Sequence, residues 1–112
     1  MKQSISNWIK EYCRLTDYIS IAQIYLKDNV LLNKPLLKSH IKSRIVGHWG
    51  TCPGINYIYG SMNAIICKND LNVLSVIGPG HGYPAVQANL FVEGSLGEFD
   101  NNYKINKKGF EN

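Results

Sequence analysis

The sequence has 112 residues, which is enough for one small domain and too few for two. Hydrophobic residues make up 45% and charged residues 18% of the chain, which is typical of a folded globular protein and excludes a disordered or collagen-like one. Twelve lysines and arginines against eight aspartates and glutamates give a net charge of +4, which suits an anionic ligand and nucleic acid equally well.

The sequence predicts neither a secretion signal nor a membrane span. Its first twelve residues mix polar and apolar side chains, and no apolar run approaches the roughly 20 residues that a spanning helix needs. The three cysteines, Cys13, Cys52 and Cys67, form no C-x-x-C pair, which disfavours a disulfide framework and a zinc knuckle. We therefore expect reduced thiols in a cytoplasmic protein.

The clearest periodicity lies in residues 4–28, where spacings of three and four residues place seven apolar side chains on one face of a helix. These seven are Ile5, Trp8, Tyr12, Leu15, Ile19, Ala22 and Leu26. Ser4 or Ser6 is suited to cap the start of this helix, and Asn29 to end it. A second apolar face fits either a two-helix seam or, as we prefer, a core helix of a larger body. It consists of Ile9, Cys13 and Ile24.

Residues 30–46 are predicted to form a connector, because Pro35 breaks any helix there and the apolar residues come only in short pairs. This connector is basic, since no acidic residue occurs between Asp28 and Asp70. Its cations are Lys34, Lys38, Lys42 and Arg44. Such a run of charge is most often a solvated surface, and the alternative is an attractive field beside an anion site.

Residues 47–94 are predicted to form a helix, a strand, a glycine loop and a second helix. Pro53 suits the first turn of one helix, and Pro84 opens another that Gly94 ends. Residues 71–77 are short, apolar and rich in β-branched side chains, as is typical of a buried strand. A buried strand needs neighbours on both edges, and the chain offers no second convincing strand. We therefore expect half of an α/β layer, in a sheet that is completed elsewhere.

His81 is the first candidate functional residue. It lies between Gly80 and Gly82 in the loop after the predicted strand, which is where open α/β sheets bind their ligands. Glycines allow a ligand to approach the backbone, and a helix N-terminus offers free N–H groups to a phosphate. The loop matches neither the P-loop nor the dinucleotide-binding pattern, so a tight turn with an exposed histidine is an equal alternative.

His48 is the second candidate, in another glycine-flanked loop that precedes a helix. It is suited to bind a substrate hydroxyl or to shuttle a proton, and a packing histidine beside Trp49 is the alternative. His48 and His81 are 33 residues apart, so the fold has to bring them together. A metal pair lacks a third ligand, and His40 is given no role. The basic residues lack interleaved aromatic platforms, so nucleic-acid binding is not supported.

Three segments together resemble the N-terminal region of the phosphoketolases, thiamine-diphosphate-dependent enzymes that act on xylulose 5-phosphate and fructose 6-phosphate. They are residues 18–32, the stretch GHWGTCPGIN at 47–56 and the stretch GPGHGYPA at 78–85. They occur in the family's order and at its spacing, and the likeness runs from about residue 8 to the last residue of the sequence.

The resemblance implies a fold, a reaction and a site. The fold is α/β, a truncated N-terminal part of a transketolase-like thiamine-diphosphate-binding domain, so that residues 1–112 are a partial domain that is incomplete at its C-terminal end. The family is a lyase that cleaves a ketose phosphate with inorganic phosphate to acetyl phosphate and an aldose phosphate. It uses thiamine diphosphate and Mg²⁺. The histidines of its motifs match His48 and His81 as catalytic residues, and His81, Gly80 and Gly82 lie on the cofactor side.

Two departures and one absence follow from the same comparison with the family. Cys52 stands where the family usually has a second threonine, and Tyr83 stands where it usually has glycine, so that a phenol crowds the loop. The family segment that binds Mg²⁺ and the diphosphate has no counterpart in these 112 residues, and no metal ligand is assigned. We therefore expect the chain to be inactive without the remainder of the enzyme or a second subunit.

The sequence leaves three hypotheses of function open. The first is the N-terminal portion of a phosphoketolase, which belongs to a homo-oligomeric family. The second is a non-catalytic remnant or structural subunit, and the third, less favoured, is a stand-alone phosphate-binding module. Sugar phosphate and inorganic phosphate are the expected small-molecule partners, and neither nucleic acid nor a membrane is expected to bind.

Overall fold

A computed structural model of the chain describes residues 4–45, 47–78, 80–103 and 105. Its α-helices are α1 (Ile5–Tyr25), α2 (Cys52–Asn69), α3 (Tyr83–Val92) and the short α4 (Ser95–Phe99). Single turns of 3-10 helix lie at Lys38–His40, Trp49–Thr51, Gly80–Gly82 and Asn101–Tyr103. Helices α1, α2 and α3 pack against one another and form the body of the described structure.

Helix α1 begins where the sequence predicts and ends earlier. The Ser4 hydroxyl accepts a hydrogen bond from the backbone N–H of Asn7 at 3.1 Å, so the predicted cap is confirmed. The helix ends at Tyr25 rather than at Asn29, because Leu26 is extended and forms an isolated antiparallel bridge with Ile41. This bridge ties the connector back onto the end of α1.

The middle and the C-terminal half of α1 are buried on more than one side, as its second apolar face predicts. Ile19 and Ala22 of the first face are buried, and so is Ile24 of the second face. Ile5 and Leu15 belong to the predicted stripe but are about half exposed, at 46% and 49%. The stripe is therefore covered over only part of its length by the described residues.

In the predicted connector at residues 30–46, a buried histidine holds a turn in place. His40 is buried, and its Nδ1 accepts a hydrogen bond from the backbone N–H of Leu37 at 3.0 Å, which holds the 3-10 turn at Lys38–His40 closed. His40 is thus a structural residue of the loop. Lys34, Lys38 and Arg44 are exposed, as expected of a solvated charge run, and Val46 lies outside the described residues.

Prolines and a glycine mark the ends of α2 and α3 as predicted. Pro53 lies in the first turn of α2, and Pro84 in the first turn of α3. Gly94 follows α3 with φ at +91°, a conformation that a side chain would strain. The short helix α4 after it was not predicted. No helix among these described residues is both long enough and apolar enough to cross a membrane.

The predicted strand at residues 71–77 is wrong for the described structure. These residues form neither strand nor helix, and the side chains of Leu74 and Val76 are 89% and 87% exposed. A strand is stable only when neighbouring strands satisfy its backbone N–H and C=O groups. The described part of the chain offers no such neighbour. Apart from the Leu26–Ile41 bridge its regular structure is helical, and the predicted α/β layer is not formed within it.

A buried network of amide hydrogen bonds joins the three long helices. Tyr12 of α1 donates its hydroxyl proton to Asn89 Oδ1 of α3 at 2.6 Å, and Asn89 Nδ2 donates to Asn56 Oδ1 of α2 at 2.7 Å. Asn56 Nδ2 in turn donates to Asp17 Oδ1 of α1 at 2.7 Å. Both asparagines are fully buried. Because buried polar groups require partners in fixed positions, this network specifies how the three helices align.

Gly60 allows α1 and α2 to approach each other. A Cβ atom at this position would lie 2.6 Å from Cδ1 of the Tyr12 ring, closer than side chains pack. A glycine inside a helix costs about 1 kcal/mol relative to alanine. The contact between the Tyr12 ring and the bare backbone of α2 offsets that cost. The same close packing places the Tyr12 hydroxyl within hydrogen-bond distance of Asn89.

The buried phenol of Tyr59 makes the stability of the helical body depend on pH in the alkaline range. Burial raises the pKa of Tyr59 to about 12, and hydrogen bonds from its hydroxyl to the Glu93 carboxylate at 2.9 and 3.0 Å add to the shift. Unfolded tyrosines titrate near pH 10, so the folded state retains the phenol proton longer than the unfolded chain does. This contribution is therefore complete below about pH 10, and we expect the melting temperature to fall as pH rises from there through about 12.

Two variants isolate this effect from other groups that titrate at alkaline pH. Tyr59→Phe should lessen the fall in melting temperature between about pH 10 and 12 without abolishing it, because burial also raises the pKa of Tyr12, whereas Tyr57→Phe, at a side chain that is 61% exposed, should leave the fall as in the wild type. Calorimetry across this range gives the melting temperatures. Equal slopes in Tyr59→Phe and the wild type would contradict the assignment.

Candidate functional site

The two predicted histidines meet where α2 and α3 begin. The backbone N–H of His48 donates to the carbonyl oxygen of His81 at 3.1 Å, which joins the two glycine-flanked loops directly. The imidazole rings lie 4.9 Å apart between centroids and are inclined by 62° in an edge-to-face arrangement. Both residues are exposed. The structure therefore brings the two side chains together on a surface that a ligand can reach.

The packing of α2 against α3 produces this meeting. Each histidine loop contains one 3-10 turn, Trp49–Thr51 or Gly80–Gly82, that leads directly into its helix. The Asn56–Asn89 hydrogen bond joins the first third of α2 to the second half of α3 and sets the two helices side by side. A small apolar cluster packs beneath the loops. It consists of the buried residues Ile24, Cys52 and Ala85, with Tyr25, Trp49 and Ile55 at its edge.

The His48 ring is held by the two residues that follow Trp49. A Cβ atom on Gly50 would lie 2.8 Å from Cε1 of His48, so the imidazole packs close to the backbone at position 50 and would have to shift if a side chain were present there. Thr51 Oγ1 lies 3.1 Å from Nδ1 of the same ring. The ring is therefore fixed on one side by shape and on another by a hydrogen bond.

The glycines beside His81 differ in their surroundings. A Cβ atom on Gly80 would meet no other atom within 4 Å, so the packing of the described chain does not itself require a glycine there. Gly80 immediately precedes His81 in the chain, and the open space leaves room for a ligand to approach the backbone there. Gly82 is buried, and Tyr83 begins α3 with 57% of its surface exposed. Pro79 lies outside the described residues.

Cys52 is a structural thiol beneath the site. It is fully buried, and burial raises the pKa of its thiol. Its Sγ donates to the carbonyl oxygen of His48 at 3.4 Å. A thiol at this position therefore keeps a weak hydrogen-bond donor toward the His48 loop, and its raised pKa makes it a poor nucleophile.

The described surface supplies one wall of a site. Two imidazoles that can donate or accept hydrogen bonds lie beside the open backbone of Gly80, which suits a hydroxyl-rich or heterocyclic ligand. Within residues 4–45, 47–78, 80–103 and 105, no group of three or more His, Cys, Asp or Glu side chains is placed to hold a metal ion.

Sequence reasoning missed how His48 is positioned and how the helices below it are joined. Thr51 follows His48 by three residues, the spacing at which one helical turn returns a side chain to its starting face, and this signal was available. Asn56 and Asn89 interrupt otherwise apolar helix faces, which marks them as candidates for buried hydrogen bonds. That they bond to each other could not be read from one sequence.

Comparison with known proteins assigns the chain to a family. The family model described as XFP N-terminal domain matches residues 1–112. The "Probable phosphoketolase" of Nitrosospira multiformis is 55% identical over 91 residues, which are 81% of this chain and 11% of that protein. The "Probable phosphoketolase 2" of a Nostoc species is 46% identical over 103 residues, 92% of this chain and 13% of that protein.

The chain belongs to the phosphoketolase family and matches its N-terminal domain. The likeness seen in its three sequence motifs is thereby confirmed. The aligned part of this chain makes up 11% to 13% of the length of the curated relatives that it matches, and the "Probable phosphoketolase" of Nitrosomonas europaea gives the same proportion, 11% over 90 residues at 52% identity.

Proposed function

We propose that this chain contributes the histidine wall of a phosphoketolase active site. The complete enzyme would cleave xylulose 5-phosphate or fructose 6-phosphate with inorganic phosphate to acetyl phosphate and an aldose phosphate. The observation that carries the proposal is the pair of exposed imidazoles of His48 and His81, 4.9 Å apart at the start of two helices. Membership of the family supports the reaction class.

The roles of the residues follow from their chemistry. Thiamine diphosphate, when bound, supplies a centre that stabilises the carbanion formed when the carbon–carbon bond breaks. His48 would bind substrate hydroxyls and move a proton near neutral pH, and His81 would lie on the cofactor side. The unobstructed backbone at Gly80 would let the cofactor approach, with Gly82 closing the loop below it. Mg²⁺ and the diphosphate would be held by residues outside this chain.

We further propose that residues 1–112 form part of a larger α/β domain and are inactive alone. Residues 71–78 leave the end of α2 as an extended, exposed segment, with Leu74 and Val76 almost fully accessible. An apolar cleft of about 410 Å³ lies between this segment and α2, lined in part by Ile58 and Met62. An exposed apolar surface of this kind is typical of a contact with further protein.

The same reasoning extends to partner and compartment. The occupant of this surface would be the remainder of the phosphoketolase polypeptide or a second subunit, in an enzyme that assembles as a homo-oligomer. Cys13, Cys52 and Cys67 are all unpaired thiols, which supports a reducing, cytoplasmic location.

Complementation tests the proposal. The chain would be co-expressed with the Nitrosospira multiformis protein from which the matching N-terminal segment has been removed, and acetyl phosphate would be measured from fructose 6-phosphate, inorganic phosphate, thiamine diphosphate and Mg²⁺. We expect product from the pair and none from either part alone. This chain is 55% identical to the Nitrosospira multiformis protein over the matched region, so it should be able to pack against the remainder of that protein.

The matched control supplies the relative's own N-terminal segment in place of this chain. If that control is active and a co-purifying pair with this chain is not, the chain is a non-catalytic remnant or structural subunit. Calorimetry of the chain alone with inorganic phosphate and with thiamine diphosphate should show no binding, and binding of phosphate alone would instead favour a stand-alone module.

A further inference from the structure

We propose that Thr51 is a positioning residue that fixes His48 in one tautomer, with the proton on Nδ1, so that Nε2 is the nitrogen that accepts a proton or hydrogen bond from a ligand. The inference deepens the proposed function, since the ligand is taken to be the substrate of that site. The arrangement of Thr51 and His48 itself is a property of this chain.

The argument begins with the single proton of the Thr51 hydroxyl. Its oxygen lies 3.1 Å from Nδ1 of His48 and 3.3 Å from the carbonyl oxygen of the same residue. If the hydroxyl donated to Nδ1, its contact with the carbonyl oxygen would have no proton. If it donates to the carbonyl oxygen, its lone pair accepts the Nδ1 proton, and both contacts become hydrogen bonds. The second arrangement requires the Nδ1–H tautomer.

The position of Thr51 just before α2 is consistent with a hydroxyl that bonds to His48. Thr51 is the N-cap residue of α2, where a threonine hydroxyl ordinarily accepts a hydrogen bond from a backbone N–H one turn later. Here the side chain makes no such capping bond and turns back toward His48. A cap of this kind contributes about 1 kcal/mol to a helix. The backbone of Thr51 is helical (φ −87°, ψ −26°) rather than extended as in an ordinary N-cap, so its hydroxyl bonds back to His48 instead of capping α2.

Gly50 supplies the second restraint. The imidazole lies against its backbone so closely that a Cβ atom would be 2.8 Å from Cε1 and 3.2 Å from Nδ1 of His48. In this position the ring packs against Gly50 while its Nδ1 lies within hydrogen-bond distance of Thr51. Because the hydrogen bond on one ring nitrogen decides which nitrogen carries the proton, this pair of neighbours selects the tautomer.

Nuclear magnetic resonance of the complete 112-residue chain tests the inference. The chain would be labelled with ¹⁵N in its three histidines, and long-range ¹H–¹⁵N correlations would report which nitrogen of each imidazole is protonated. We expect His48 in the wild type as the Nδ1–H form. Thr51→Val should lower the ratio of Nδ1–H to Nε2–H by about twofold to tenfold, the range that one ordinary hydrogen bond controls. Thr51→Ser, which keeps the hydroxyl, should restore it.

His40 and His81 provide internal controls, since their signals should stay in place in both variants if the loops remain folded. A wild-type His48 in the Nε2–H form would overturn the inference, as would a Thr51→Val spectrum identical to the wild type. If Thr51→Val does not fold, the wild-type tautomer and Thr51→Ser still decide. The spectrum requires no turnover, so an inactive complemented enzyme would reject the proposed function without touching this result.

Discussion

Replacing His48 or His81 with alanine is expected to lower turnover of the complemented enzyme by a factor of about 10²–10⁴, the contribution of one positioned acid–base group. The two rings lie 4.9 Å apart and both are exposed, so each can reach the same bound substrate. The backbone hydrogen bond between the two loops does not involve either side chain, and it should persist in both variants. The rate of acetyl phosphate formation at saturating fructose 6-phosphate gives the measurement.

The double variant decides whether the histidines serve one site. Groups that act on the same reacting atoms lose activity non-additively, so His48→Ala with His81→Ala should be about as slow as the slower single variant. If the loss of turnover in the double variant equals the product of the two single losses, the histidines serve two independent sites. Asn69→Ala is the control, because Asn69 ends α2 about 25 Å along the helix axis from Thr51 and should leave turnover unchanged. A mild loss in both single variants would contradict the assigned roles.

The starts of the helices and the pairing of the histidines were predictable because they depend on short-range chemistry or on a recognised motif, whereas the end of α1 was not. Ser4 caps α1 and Pro53 opens α2, and these effects act within one turn of the chain. The convergence of His48 and His81 followed from motifs that resemble the family. The 4.9 Å separation did not, because it depends on how α2 packs against α3.

The absence of the predicted strand and the presence of the buried network could not be foreseen from the sequence, for two different reasons. Residues 71–77 carry the composition of a strand, but a strand forms only when other strands satisfy its backbone, and the described chain offers none. Local propensity was therefore overruled by missing neighbours. Asn56 and Asn89 are 33 residues apart, and their hydrogen bond exists only in the packed structure. The early end of α1 also depends on a distant contact, because Leu26 pairs with Ile41 of the connector instead of continuing the helix.

Replacing Asn89 with alanine is expected to lower the free energy of unfolding by about 2–6 kcal/mol. The change leaves the Tyr12 hydroxyl proton without its acceptor and Asn56 Oδ1 without its donor, while Asn63 Nδ2 still lies 3.4 Å from the Tyr12 oxygen; each buried group that loses its partner costs about 1–3 kcal/mol. A domain of this size has only about 5–15 kcal/mol of stability in total, so a large part of it would be lost. Urea denaturation, followed by helical circular dichroism, measures the change.

Two further variants show whether the loss arises from this network. Asn69→Ala, which removes an exposed amide bonded at 3.0 Å to the Ile65 carbonyl, should change stability by no more than about 0.5 kcal/mol. Tyr12→Phe should cost less in the Asn89→Ala background than in the wild type, because the hydroxyl proton that it removes has then already lost its acceptor. Equal costs in both backgrounds would show that Tyr12 and Asn89 are energetically independent. The coupling matters for the site, since the same hydrogen bonds align α2 with α3 and so hold His48 beside His81.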